Sequence, residues 1–220
     1  MAAGSLLTRT PASKNANTLI AANHTHVFAC MHMKDAAGNI MMTVQMFKLD
    51  NPVEVLEYGE LDAKCGGIAL SGESDEHLYV GVTRQKECEG DCGTDCEMLH
   101  WDLSVPLDSV SERPNNEEPI NDHSENDCAV FDVASNSSVV VAVGREADTD
   151  EAYGILAWAA AGSDFTTKSK RIASDASPTM FFTNVVVMSS SEGGDFLVGT
   201  RSSASLRSFA VVDSDHLDGA

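Results

Sequence analysis

Val80-Gly81-Val82-Thr83-Arg84, Val141-Ala142-Val143-Gly144-Arg145 and Leu197-Val198-Gly199-Thr200-Arg201 are three copies of one pattern: an apolar run of small and β-branched residues that closes on an arginine. Each copy is followed, after a polar stretch of variable length, by a short run with an aromatic inside it. These runs are Leu99-His100-Trp101-Asp102-Leu103, Leu156-Ala157-Trp158-Ala159 and Arg207-Ser208-Phe209-Ala210-Val211. An earlier copy, Phe28-Ala29-Cys30-Met31-His32 with Met46-Phe47-Lys48-Leu49, fits the same scheme. Phe47, Trp101, Trp158 and Phe209 are therefore 54, 57 and 51 residues apart, a spacing typical of solenoids, propellers and other arrays.

Helical repeats would place apolar residues at i, i+3 and i+4 over ten or more positions, and no stretch does so. Further apolar runs precede the earlier copy, at 18–22, and each arginine-ending segment, at 67–70, 128–133 and 184–188. More polar strand candidates follow the aromatics at 53–58 and 171–173. Three or four short antiparallel strands per unit of about 50 residues describe a propeller blade. The expected fold is all-β, a β-propeller-like array of about four antiparallel blades, with a β-sandwich as the alternative. The expected units are 18–61, 62–110, 128–178 and 179–213, with a flexible segment at 1–17, an acidic disordered loop at 111–127 and a flexible tail at 214–220. The fourth unit offers no outer strand.

The second unit resembles a WD40 repeat. Gly67-Ile68-Ala69-Leu70, then Leu78-Tyr79-Val80-Gly81-Val82, then Leu99-His100-Trp101-Asp102-Leu103 reproduce its strands and its Trp-Asp ending. The third unit keeps Trp158 but has Ala159 in place of the Asp, the first and fourth units use Phe, and no unit opens with Gly-His. The resemblance spans about residues 18–213 and implies a scaffold for other proteins. Phe47, Trp101, Trp158 and Phe209 are assigned to blade packing.

The formal net charge is −20 and the pI about 4.4. Duplex affinity depends on Lys and Arg neutralising phosphates, so direct nucleic-acid binding is not expected, and an anionic membrane surface would repel the chain. Thirteen acids against the single base Arg113 fall between residues 87 and 127. They form either a surface that steers a basic partner or solvated loops that keep a sheet protein soluble. The three arginines Arg84, Arg145 and Arg201, at the ends of equivalent strands, either grip an acidic group or pair locally with acids that follow, such as Glu87 after Arg84 and Glu146 after Arg145. The partner-binding candidates are Arg84, Arg145, Arg201, Glu87, Glu89, Asp91 and Asp95.

Cys88, Cys92 and Cys96 are spaced Cys-x₃-Cys-x₃-Cys, whereas structural zinc sites favour Cys-x₂-Cys pairs. A metal site, a local disulfide and an acidic loop with free thiols all remain open. Cys30, Cys65 and Cys128 lie in or beside strands and read as reduced, buried small hydrophobes. The first thirty residues hold no apolar core behind a basic start, so no secretory signal is expected and the location is read as cytoplasmic or nuclear. A secreted sandwich is the contrasting case, with disulfides among Cys88, Cys92 and Cys96 and glycans on the sequons at Asn23 and Asn136.

No phosphate loop, nucleophile elbow or His-Glu-x-x-His pair is present. The expectation is a non-enzymatic interaction scaffold with no cofactor, other proteins as partners, and either an oligomer or missing blades completing a ring. The alternative is a metal-dependent propeller hydrolase or metal-binding module using His24, His26 and His32 or the Cys88 cluster.

Overall fold

The computed structural model of the chain describes residues 17–34, 37–50, 55–72, 75–86, 93–104, 113–120, 127–137, 139–147, 152–162, 168–172, 181–189, 195–203 and 206–213. All secondary structure among them is antiparallel strand. Sheet I holds β1 (Asn17–Ala22), β2 (His26–Lys34), β3 (Ile40–Lys48) and β4 (Val55–Leu61). Sheet II holds β5 (Ala63–Ser71), β6 (His77–Gln85), β7 (Thr94–Asp102) and β8 (Asn116–Pro119). Sheet III holds β9 (Asp127–Ser135), β10 (Val139–Ala147), β11 (Ala152–Ala160) and β12 (Lys168–Ile172). Sheet IV holds β13 (Phe181–Ser189), β14 (Asp195–Ser203) and β15 (Leu206–Asp213). Within each sheet the spatial order follows chain order, so every sheet is a meander.

Turn chemistry repeats with the sheets. Asn23 and Asn136, the two sequon asparagines, close the β1–β2 and β9–β10 turns in the same way: each side-chain Oδ1 accepts from the backbone N–H three residues on, His26 at 2.8 Å and Val139 at 2.9 Å. Each backbone N–H in turn donates to the carbonyl of that same residue. Asparagine suits such turns because its side chain mimics a backbone acceptor. Asp62 alone joins β4 to β5, in the left-handed region at φ 56°, which Asp tolerates better than most residues.

The sheets stack face to face in chain order, with the first strand of each lying on the sheet before it. Between sheets I and II, Phe28, Cys30, Met42, Val44 and Met46 meet Leu78, Val80, Val82, Leu99 and Trp101. Between II and III, Tyr79, Cys96 and Met98 meet Val130, Val133, Val140, Ile155 and Ala157. Between III and IV, Val139, Val141, Val143, Leu156 and Trp158 meet Val185. Alternate residues of β6, β7, β10 and β11 thus serve opposite faces, and both faces are buried. That is why these strands read as nearly continuous apolar runs. Among the described residues no ring closes.

Bulges let each first strand fit its neighbour. The register of β5 on β6 shifts at Gly66, that of β9 on β10 at Phe131 and that of β13 on β14 at Thr183. The II–III junction is close enough that a Cβ on Gly67 would sit 2.2 Å from the Val133 nitrogen, and one on Gly66 would fall 2.4 Å from the Val130 carbonyl oxygen. Only glycine admits that approach of backbone to side-chain-free backbone. Polar groups also cross the seams: Val130 N donates to Thr83 Oγ1 at 3.0 Å, and Val185 N donates to Asp132 Oδ2 at 3.0 Å. Burial raises the Asp132 pKa, against the pull of its backbone hydrogen bonds.

Several expectations need correction. Cys30, Cys65 and Cys128 are buried, but they are not reduced: Cys30 pairs with Cys65 and Cys96 with Cys128. Cys96 therefore belongs to β7 rather than to a loop with Cys88 and Cys92, which lie outside the described residues. Both disulfides run from one sheet to the first strand of the next, a pairing that intra-strand spacing cannot reveal. Asn116–Pro119, read as disordered loop, is β8, paired with Glu97–His100, so the second unit extends past 110. The segments 1–16 and 214–220 lie outside the described residues.

The aromatics also fail to share one register. Phe47 stands opposite Val27 and Trp101 opposite Leu78, each in the second position of its partner strand. Trp158 stands opposite Val141, one position further in, and packs towards sheet IV where Trp101 packs towards sheet I. Phe209 stands opposite Thr200, well inside β14. Where both faces are buried, a one-residue slip leaves the apolar pattern unchanged, so sequence alignment alone does not detect it.

Candidate functional site

Arg84 occupies the penultimate position of β6, across from Ala63 on one side and Asp95 on the other. Its guanidinium lies over the seam between sheets I and II. Nη2 donates to Glu60 Oε2 at 3.0 Å, Nε meets Glu60 Oε1 at 2.5 Å, and Nη1 reaches Glu117 Oε2 at 3.1 Å and Glu97 Oε2. Those carboxylates come from β4, β8 and β7 respectively. Burial alone would lower the Arg84 pKa, but hydrogen bonds and charge from Glu60 and Glu117 outweigh it and hold the value above normal.

Tyr58 completes this cluster from β4. Its hydroxyl donates to Glu60 Oε2 at 3.0 Å, and its ring meets Trp101 edge-on at 5.6 Å. Burial, then the Glu60 carboxylate, push its pKa up to about 12, so the phenol stays protonated and remains a donor. Above them opens a groove of about 500 Å³ lined by Glu57, Tyr58, Gly59, Glu60, Arg84, Arg113 and Glu117. Counting Glu97 beside Arg84, four carboxylates here face two guanidinium groups.

The other predicted residues are placed apart. Asp95 is partly exposed and pairs with Lys86 at 3.4 Å. Arg145 is exposed on β10, where alternation turns it towards the sheet IV side; Arg84 turns towards sheet I. The three arginines are therefore not one equivalent set. Only the backbone of Arg201 is described, and Glu87, Glu89 and Asp91 lie outside the described residues. Arg84 is paired across strands with Glu60, Glu97 and Glu117, which carried no signal beyond strand order that would have linked them to it.

The candidate histidines His24, His26 and His32 do not converge. His24 is exposed in the β1–β2 turn, while His26 and His32 sit six residues apart on β2, a separation of about 20 Å. Among the described residues no group of three or more His, Cys, Asp or Glu is placed to hold a metal ion.

A second polar cluster lies between sheets II and III. His100 is fully buried and stacks on Tyr79 at 4.9 Å, and its Nε2 lies 3.1 Å from His77 Nδ1. The Tyr79 hydroxyl donates to the Gly162 carbonyl at 3.1 Å and accepts from the Gly162 N–H at 2.9 Å. Burial, then the His77 charge, push the His100 pKa down to about 4, with Asp102 opposing. The unfolded chain takes up this proton near 6.5 and the folded chain only near 4, so stability falls as pH drops through that window. At about 1.4 kcal/mol per pKa unit the loss is about 3 kcal/mol. The urea midpoint should decline between these pH values, and more steeply than in a His100→Phe variant; parallel profiles would show that His100 titrates normally.

No protein-family model matches this sequence, and a search of curated proteins finds no match either.

Proposed function

We propose that the chain is a non-enzymatic protein-interaction scaffold, a propeller-type array of WD40-like blades whose acidic groove around Arg84 receives a basic segment of a partner protein. The carrying observation is the surplus of carboxylates at that groove, four against two guanidinium groups, mounted on strands from two packed sheets. Meander sheets that follow one another in chain order and stack face to face support the propeller reading. Arg84 changes role in this proposal. Its donors are taken up by Glu60, Glu97 and Glu117, so it organises the acids while Glu57 and Glu117, the more exposed ones, meet the partner.

Such a groove favours Lys or Arg side chains, and the net charge of −20 draws basic segments in from a distance. The test is fluorescence anisotropy with a labelled Lys/Arg-rich peptide at low and at physiological salt. Binding should weaken as salt shortens the Debye length from about 30 Å to about 8 Å. Glu57→Gln combined with Glu117→Gln should cost about tenfold in affinity, or about 1.4 kcal/mol. Equal affinity in wild type and double variant would remove the groove from the account.

A further inference from the structure

The groove beside Arg84 runs along an open strand edge. Glu57, Tyr58, Gly59 and Glu60 are consecutive residues of β4, and all four line it. Successive side chains of a strand project to opposite faces, so the feature these four share is the edge itself. β4 is the last strand of sheet I, and among the described residues no strand pairs with its far side. The hydrogen-bond phase fixes which groups point there. Asp62 N donates to the Ile40 carbonyl at 2.6 Å, one step beyond the Met41–Leu61 pair, so Glu60 and Tyr58 exchange their backbone bonds with Met42 and Val44. The N–H and C=O groups of Glu57 and Gly59 therefore face away from β3. Gly59 is exposed and has no side chain, so what it presents is bare backbone.

The outer strand of sheet II is guarded where β4 is not. Ile120 N donates to the Cys96 carbonyl at 2.9 Å, so Glu118 bonds to Met98 of β7 while Glu117 and Pro119 point outward. Pro119 brings no N–H to that edge, a common protection of edge strands. β4, Val55-Leu56-Glu57-Tyr58-Gly59-Glu60-Leu61, contains neither Pro nor Lys, and no bulge interrupts its register. Acids flank its edge on both sides. Glu60 lies on the sheet II face of β4 with Glu117 across the groove, and Glu57 lies on the outer face opposite Gln45.

We infer that the basic segment received by this groove binds as an extended strand added to the edge of β4. Its main chain bonds to Gly59 and Glu57, and its Lys or Arg side chains meet the flanking acids. This rests on the groove reading above and adds how the partner is held. A strand laid beside β4 shares its alternation. The residue opposite Glu60 has its side chain on the sheet II side, beside Glu60 and Glu117, and the residue opposite Glu57 has its side chain on the outer face, beside Glu57. Favoured segments therefore carry basic residues three positions apart, one for each face, with strand-forming residues between them. Main-chain bonds supply affinity for any extended segment, and the acids select the charge.

The experiment is fluorescence anisotropy on the full chain with a labelled peptide of repeated Lys-Thr-Val units, and with its twin methylated on every backbone nitrogen. The twin keeps the charges and loses the main-chain donors, and should bind the wild type about tenfold more weakly. Gly59→Pro removes the N–H from the open edge and leaves the β3 ladder intact. Gly59→Ala keeps that N–H, and its added methyl meets the Met42 carbonyl oxygen at 3.9 Å, an ordinary contact. The proline variant should bind the unmethylated peptide about tenfold more weakly than the alanine variant, with circular dichroism to verify that both are folded. If the proline variant does not fold, the methylated twin decides on the wild type alone. Amide exchange read by NMR should show the Glu57 and Gly59 N–H groups slowed by bound peptide. Equal affinity for the two peptides, or unchanged exchange at Glu57 and Gly59 with peptide bound, overturns strand addition. If Glu57→Gln with Glu117→Gln still weakens binding in that case, the groove reading stands as capture of charge alone. No binding of either peptide by the wild type removes the groove reading and this proposal together.

Discussion

Reducing the Cys30–Cys65 and Cys96–Cys128 disulfides should bring the protein close to unfolding at room temperature. Cys30–Cys65 closes a separation of 35 residues and Cys96–Cys128 one of 32. Loop-closure entropy of that length corresponds to about 4 kcal/mol for each bond on the chain-entropy estimate. A domain of this kind has a net stability of about 5–15 kcal/mol, so losing both removes a large share of it. The effect goes beyond the unfolded state, because each bond ties a sheet to the first strand of the next and holds the seam that buries the core. Urea denaturation with and without a phosphine reductant measures this directly. A midpoint that falls steeply on reduction is expected; curves that coincide would mean that the sheets hold together without these covalent ties.

Trp101→Ala should cost about 3–5 kcal/mol, the range for emptying an aromatic site in a packed core. Trp101 is 1% exposed and sits among Leu78, Val80, Leu99 and Met46 at the junction of sheets I and II. It also carries the edge of Tyr58, whose hydroxyl holds Glu60 beside Arg84. The variant should therefore lose affinity for a basic peptide as well as stability. Trp101→Phe should keep most of the stability, since the indole Nε1 has no hydrogen-bond partner among the described residues. An unchanged melting temperature in the alanine variant would place Trp101 outside the core.

The strands were legible in the sequence because the local signals agree. Apolar runs at 18–22, 67–70, 128–133 and 184–188 all fall within first strands of sheets, and the arginine-ending runs all fall within second strands. Facing was not legible. In β6 and β10 both faces are buried, so Val80-Gly81-Val82 and Val141-Ala142-Val143 look alike while standing one residue out of phase relative to their neighbours. That single slip sends Arg84 and Arg145 to opposite sides and splits Trp101 from Trp158. β8 was missed because an edge strand of Asn, Glu, Glu and Pro has the composition of a loop, and only its pairing with Glu97–His100 makes it a strand.

The acidic groove was visible in the sequence only as an excess of acid. Glu60 meets Arg84 because β4 and β6 lie on two sheets that pack together, and Glu117 because β8 pairs beside β7. Such partners are fixed by stacking and carry no local pattern. The cysteines make the same point: Cys30 is joined to Cys65 and Cys96 to Cys128 across sheet boundaries, so a spacing argument that groups Cys96 with Cys88 and Cys92 misses its partner. Asn23 and Asn136, read in the sequence as glycosylation triplets, also close equivalent turns through their side-chain oxygens.

The face-to-face stacking of sheets in chain order is tested most directly by peptide mapping of the unreduced protein with mass spectrometry. Stacking predicts cross-linked peptides joining Cys30 to Cys65 and Cys96 to Cys128, since only adjacent sheets bring those Cα atoms to 6.0 and 5.6 Å. Cys96 joined to Cys88 or Cys92, or Cys30 and Cys65 recovered as free thiols in protein purified without reductant, would contradict it.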